Sequence, residues 1–72
     1  MNIIFTNHSK YRINERKISV TNIRQTIKNP DRKKIDEYGM ILVAKQFGKK
    51  SLAVVYRIYN NNLVVVTSYY EN

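Results

Sequence analysis

An α+β fold is predicted by a change of hydrophobic period midway along these 72 residues. Before Asn29-Pro30, the apolar residues Val20, Ile23 and Ile27 recur at i, i+3 and i+7, one stripe of a helix. After Gly39, three runs rich in Val, Ile, Leu and Tyr are separated by short turn-forming links. The expected architecture is a short N-terminal strand, two tandem helices and a three-stranded antiparallel meander, forming one domain over residues 1–72.

Each element has a local reason. Ile3-Ile4-Phe5 is a short apolar run suited to a first strand. Thr6, Asn7 and Ser9 can each cap a helix, so one begins near His8 and ends around Lys17. Ile18 then connects to Ser19, the expected N-cap of a second helix. That helix stops at Asn29, because a residue before proline avoids helical torsions. Asp31 to Tyr38 reads as a charged connection. Met40 to Phe47, Ser51 to Tyr59 and Leu63 to Tyr70 are the three strands, joined as hairpins through Gly48-Lys49-Lys50 and Asn60-Asn61-Asn62. Strict alternation puts Leu52, Val54, Tyr56 and Ile58 on one face, and Ala53, Val55, Arg57 and Tyr59 on the other. On the last strand it groups Leu63, Val65, Thr67 and Tyr69 against Val64, Val66, Ser68 and Tyr70. One of these faces must carry the helices.

Composition narrows the chemistry. There is no cysteine, which removes disulfide and thiolate sites, and a single histidine, which removes a histidine-rich metal site. Five carboxylates among thirteen Lys and Arg disfavour an all-carboxylate metal site. No metal or cofactor is therefore expected. No apolar run approaches the roughly 20 residues that span a bilayer, and Ile3-Ile4-Phe5 is too short for a signal peptide. A cytoplasmic protein without membrane association is the expectation. The net charge of +8 is unevenly placed. Residues 1–34 hold nine Lys or Arg against two acids, while residues 35–72 hold four against three. Such asymmetry points to a polyanionic partner, RNA or DNA, with a merely soluble basic protein as the plainer reading.

The patterned polar segment is HSKYRINERKIS, residues 8–19. His8, Arg12 and Arg16 are four residues apart, so on a helix each advances about 40° and the three share a face. Imidazole can move a proton near neutral pH, and arginine grips phosphate with a planar fork. The competing assignment pairs Arg12 and Arg16 with Glu15 or with backbone carbonyls at the helix end. Lys10 and Lys17 supply nonspecific attraction to a nucleic-acid backbone. Arg57 lies in an otherwise apolar strand, so a half-buried guanidinium there needs an anion, either an acid of the fold or a bound phosphate. Thr67 and Tyr69 add hydroxyl groups near the chain's end, and tyrosines also stack on bases.

Metal-independent RNA cleavage needs few parts. A base takes the 2′-hydroxyl proton, an acid protonates the leaving 5′-oxygen, and cations stabilise the phosphate between them. His8, Arg12, Arg16, Thr67 and Tyr69 form a candidate catalytic set, with Lys10, Lys17 and Arg57 binding RNA. DNA lacks the 2′-hydroxyl, so RNA is the better substrate. Two other classes stay open: a non-catalytic nucleic-acid-binding module, and an interaction domain that docks an acidic protein.

The segment order adds a resemblance. A short strand, then His8-x-x-x-Arg12-x-x-x-Arg16-x-Ile18-Ser19, a helix closing on Asn29-Pro30-Asp31, and a hairpin ending in Val65-Val66-Thr67 resemble a family of small, largely uncharacterised prokaryotic and viral domains. These domains in turn look like distant relatives of the RelE and BrnT toxins of toxin–antitoxin systems. The resemblance covers nearly the whole chain and implies a RelE-like α+β fold. By analogy it implies an endoribonuclease acting on free or ribosome-bound mRNA, neutralised by an acidic antitoxin.

Overall fold

The computed structural model describes residues 2–71, in the order β1 (Asn2–Phe5), α1 (Asn7–Glu15), α2 (Val20–Lys28), β2 (Arg32–Ile35), β3 (Ile41–Phe47), β4 (Lys50–Tyr59) and β5 (Asn62–Glu71). The α+β class and the two tandem helices are as expected. The sheet is larger than a three-stranded meander. Strands β3, β4 and β5 pair antiparallel as consecutive hairpins, and two further strands extend them into a mixed sheet of order β1-β5-β4-β3-β2. Strand β1 pairs parallel to β5, and β2 pairs antiparallel to β3.

Strand β2 corrects the expected charged connection over Asp31–Tyr38. Arg32-Lys33-Lys34-Ile35 shows no apolar alternation because all four residues are exposed on an edge strand. Its register comes from the turn that follows. The Asp36 carboxylate accepts from the backbone N–H of Tyr38 and Met40, and Gly39 adopts φ +83°. Charged edge strands are common because lysine discourages pairing with another chain.

Both helices begin where their caps allow. The Thr6 hydroxyl accepts from the Ser9 N–H at 3.0 Å, and that of Ser19 from Asn22 at 3.3 Å. Helix α1 closes with Lys17 at φ +54°, where the N–H of Ile18 reaches the Ile13 carbonyl and that of Lys17 the Asn14 carbonyl. This is a Schellman closure, and it buries Ile13 and Ile18 together. On α2 the predicted stripe holds at Ile23, which is buried, and Ile27, which packs on the core; Val20 is exposed. The hairpin turns match their residues. Asn60 and Asn61 both take positive φ, as a two-residue I′ turn requires, and Gly48 does so in the β3–β4 link.

The core lies between the helices and one face of the sheet. Ile13, Ile18 and Ile23 pack with Val43, Leu52, Val54, Tyr56, Leu63 and Val65. Burial there pushes the Tyr56 phenol above its ordinary pKa of 10.0. Strict alternation fails on β5. Val55 pairs with Thr67 but Tyr56 pairs with Val65, so Val66 is an extra, bulged residue. Beyond it Ser68 and Tyr70, rather than Thr67 and Tyr69, share the face of Leu63 and Val65. The switch places Ser68 in a fully buried position with its Oγ unpartnered. Among the described residues no helix is long and apolar enough to cross a membrane.

Two stability measurements check this account. A lysine in the left-handed region costs about 1–2 kcal/mol, partly offset by the flexibility glycine restores to the unfolded chain. Lys17→Gly is therefore expected to raise the midpoint of thermal unfolding, by roughly 4–8 °C per kcal/mol gained in a domain of this size; an unchanged or lower midpoint would contradict the helix closure described. Ser68→Ala removes a buried hydroxyl with no partner, so denaturant titration should show neutral to about 1 kcal/mol greater stability. A loss near 2 kcal/mol would mean that the hydroxyl is satisfied.

Candidate nucleic-acid interface

Because α1 and α2 cover one side of the sheet, the other side is uncovered. Cross-strand register assembles it: Arg32 and Lys34 from β2, Leu42 and Ala44 from β3, Ala53, Val55, Arg57 and Tyr59 from β4, and Val64, Thr67 and Tyr69 from β5. Ile4 of β1 joins beside Val64. Ala44 and Ala53 are buried in its centre, Leu42, Val55, Val64, Val66, Thr67 and Tyr69 are half-buried, and Ile4, Arg57 and Tyr59 are exposed. The solvated face of an antiparallel sheet is usually polar. Here an apolar and aromatic centre is bordered by cations, the composition of a binding surface.

The bulge and the capping of α1 bring His8 to a corner of this face. Thr6, His8, Arg57, Tyr59, Val64 and Val66 line one hollow of about 490 Å³. Strand β3 begins opposite Tyr56, so the last three residues of β4 pair with β5 alone. That overhang explains why Arg57 is exposed, which corrects the expectation of a half-buried guanidinium. Among the described residues no carboxylate forms an ion pair with it. His8 is exposed in the first turn of α1, a turn with no acidic residue. The hollow thus combines imidazole, guanidinium, a phenol and the positive end of a helix over an apolar floor.

The two arginines that follow His8 on α1 are engaged by the protein itself. The Arg12 guanidinium pairs with Glu15 at 2.9 Å and lies 5.9 Å from the centre of the Tyr11 ring. Arg16 donates from Nη1 to the Ser68 carbonyl at 2.7 Å, beyond the stretch of β5 that β1 covers. Arg16 therefore fastens α1 to β5. Lys10 and Lys17 are not on this side. Lys10 is about 200° around the helix from His8. Both lysines line a separate hollow of about 540 Å³ with Phe5, Ile13, Asn14, Ile18 and Val20.

The structure thus unites His8 with Arg57 and carries Thr67 and Tyr69 on the same face, directly after Val66. It separates Lys10 and Lys17 from them. Tyr59 is the residue the sequence reading missed as a site member, although alternation had already placed it on the face of Arg57. Among the described residues no three His, Asp or Glu side chains come together as a metal site.

No curated protein and no solved structure matches the chain. A family model described as a domain of unknown function, DUF4258, matches residues 5–70, from the end of β1 almost to the end of β5. With nearly all of its length inside that match, the chain belongs to the DUF4258 family.

Proposed function

We propose that this domain binds single-stranded RNA on the uncovered sheet face and cleaves it without a metal at the His8 hollow. The observation that carries the reading is that His8 and Arg57, far apart in sequence, line one hollow on a protein of net charge +8. Arg57 holds the scissile phosphate and stabilises the charge that grows on its oxygens. His8 serves as the proton-transfer group beside it. The 2′-oxygen loses its proton and bonds to phosphorus, the bond from phosphorus to the 5′-oxygen breaks, and that oxygen takes up a proton. The products are a 2′,3′-cyclic phosphate and a 5′-hydroxyl. Tyr59 and Tyr69 offer rings on which bases stack, and Thr67 an auxiliary hydroxyl.

The finer reading follows from the His8-Arg12-Arg16-Ile18-Ser19 resemblance. It makes the domain a cytoplasmic, RelE-like toxin acting on mRNA, free or on the ribosome, with an acidic antitoxin as its partner. In this scheme Arg12 leaves Glu15 for the substrate, since an exposed ion pair contributes only about 0–1 kcal/mol. Arg16 positions α1 through Ser68. A non-catalytic RNA-binding module is the second reading, favoured by the engagement of both arginines within the fold.

Inducible expression of wild type, His8→Ala and Arg57→Ala in a bacterium, with RNA ends mapped by primer extension, separates these readings. Wild type is expected to generate discrete mRNA ends. His8→Ala should lose cleavage by about 10²-fold or more, with RNA affinity nearly kept. Arg57→Ala should lose both cleavage and affinity. Cleavage by His8→Ala at the wild-type rate contradicts the assignment. Intact RNA with tight, steeply salt-dependent binding by purified wild type selects the non-catalytic module.

A further inference from the structure

At the far end of the same face, a carboxylate of the protein occupies a cluster of donors. Glu71 Oε1 pairs with Arg32 and accepts the Ser51 hydroxyl at 2.9 Å. Arg32, Gln46, Lys49, Ser51 and Glu71 surround a hollow of about 460 Å³. An adjoining one is lined by Arg32, Lys33, Lys34, Leu42 and Glu71. Strand β2, which carries Arg32, is separated from β5 by two intervening strands. Three strand spacings amount to about 14 Å, a span that extended Arg and Glu side chains reach across the face. Arg32 and Ser51 thus meet at a single anionic oxygen, and Lys49 lines the same hollow.

We infer that Arg32, Lys49 and Ser51 form a second phosphate subsite, which Glu71 fills as an internal stand-in until a nucleic-acid phosphate displaces it. The inference rests on the RNA-binding reading and extends it from one hollow to a track. From Val66 to Glu71 the strand runs roughly 17 Å, so the two subsites engage different phosphates of one strand. Leu42, Val55 and Tyr69 lie on the face between β2 and β5 and offer an apolar floor for the bases. The Arg32–Glu71 pair can yield because its arginine is exposed. Arg32 keeps 60% of its side-chain surface in solvent and Glu71 27%, so the ion pair contributes on the order of 1 kcal/mol. A phosphodiester matches the carboxylate in charge and in its two free oxygens, and it arrives at a high effective concentration on a strand already held at the His8 end.

The test is a double-mutant cycle on binding of a short labelled single-stranded oligouridine, read by fluorescence anisotropy across salt concentrations. Glu71→Gln keeps the shape and removes the charge, and should tighten binding roughly three- to fivefold. It should also steepen the slope of log affinity against log salt by up to about 0.7, the value for one phosphate contact, because Glu71 no longer competes for it. Glu37→Gln, in the β2–β3 turn, controls for net charge and should change affinity by less than about twofold. Arg32→Ala should weaken wild-type binding by no more than about twofold, because displacing Glu71 offsets most of what the phosphate contact contributes. In the Glu71→Gln background it should erase the gain. Additive effects, or equal gains from Glu37→Gln and Glu71→Gln, overturn the subsite while leaving RNA binding at the His8 end intact. Failure of every variant and of the wild type to bind overturns RNA binding itself, and the subsite with it.

Discussion

The packing of Ile13, Ile18 and Ile23 onto one face of the sheet is the contact on which the rest of this structure depends. It joins three isoleucines from the helical segment to six side chains contributed by β3, β4 and β5. The chain leaves β1 at one edge of the sheet and enters β2 at the other. Two nine-residue helices, each about 14 Å long, carry it across the back. Both helices are therefore committed to one side. Among the described residues no other element covers the second side.

That uncovered side gains its chemical character from two irregularities. The bulge at Val66 turns Thr67 and Tyr69 outward and Ser68 inward. The overhang of β4 beyond β3 frees Arg57 and Tyr59 from neighbours on that side. The capping of α1 by Thr6 then sets His8 at the same corner. Arg16, through the Ser68 carbonyl, ties α1 to the part of β5 left bare by the short β1. Positioning of the imidazole and closure of the sheet edge are thus consequences of the same helix placement.

Features governed by local rules were legible in the sequence. Ser19 as a cap, the stop at Asn29-Pro30, the three long strands and the asparagine turn each follow from a few neighbouring residues. Strand β2 was not legible, because an edge strand exposed at every position carries no apolar alternation. The bulge was hidden for another reason: Val64, Val65 and Val66 fit either face, so only the cross-strand register decides. The site was readable in part. The helical spacing of His8, Arg12 and Arg16 is real, and the Arg12–Glu15 pair was one of the readings it left open, but charge pattern alone could not show that the distant Ser68 carbonyl engages Arg16. Nor could it show that Arg57, from a distant strand, completes the hollow at His8.

The central claim is that RNA lies on the uncovered face. Titration of isotopically labelled protein with single-stranded oligouridine, followed by two-dimensional amide NMR, tests it most directly. The account predicts shifts concentrated at His8, Arg57, Tyr59, Val64, Val66, Thr67 and Tyr69, with the back of α2 around Arg24 and Lys28 little changed. Shifts concentrated instead at Lys10, Lys17, Arg24 and Lys28, with the open face silent, would contradict it.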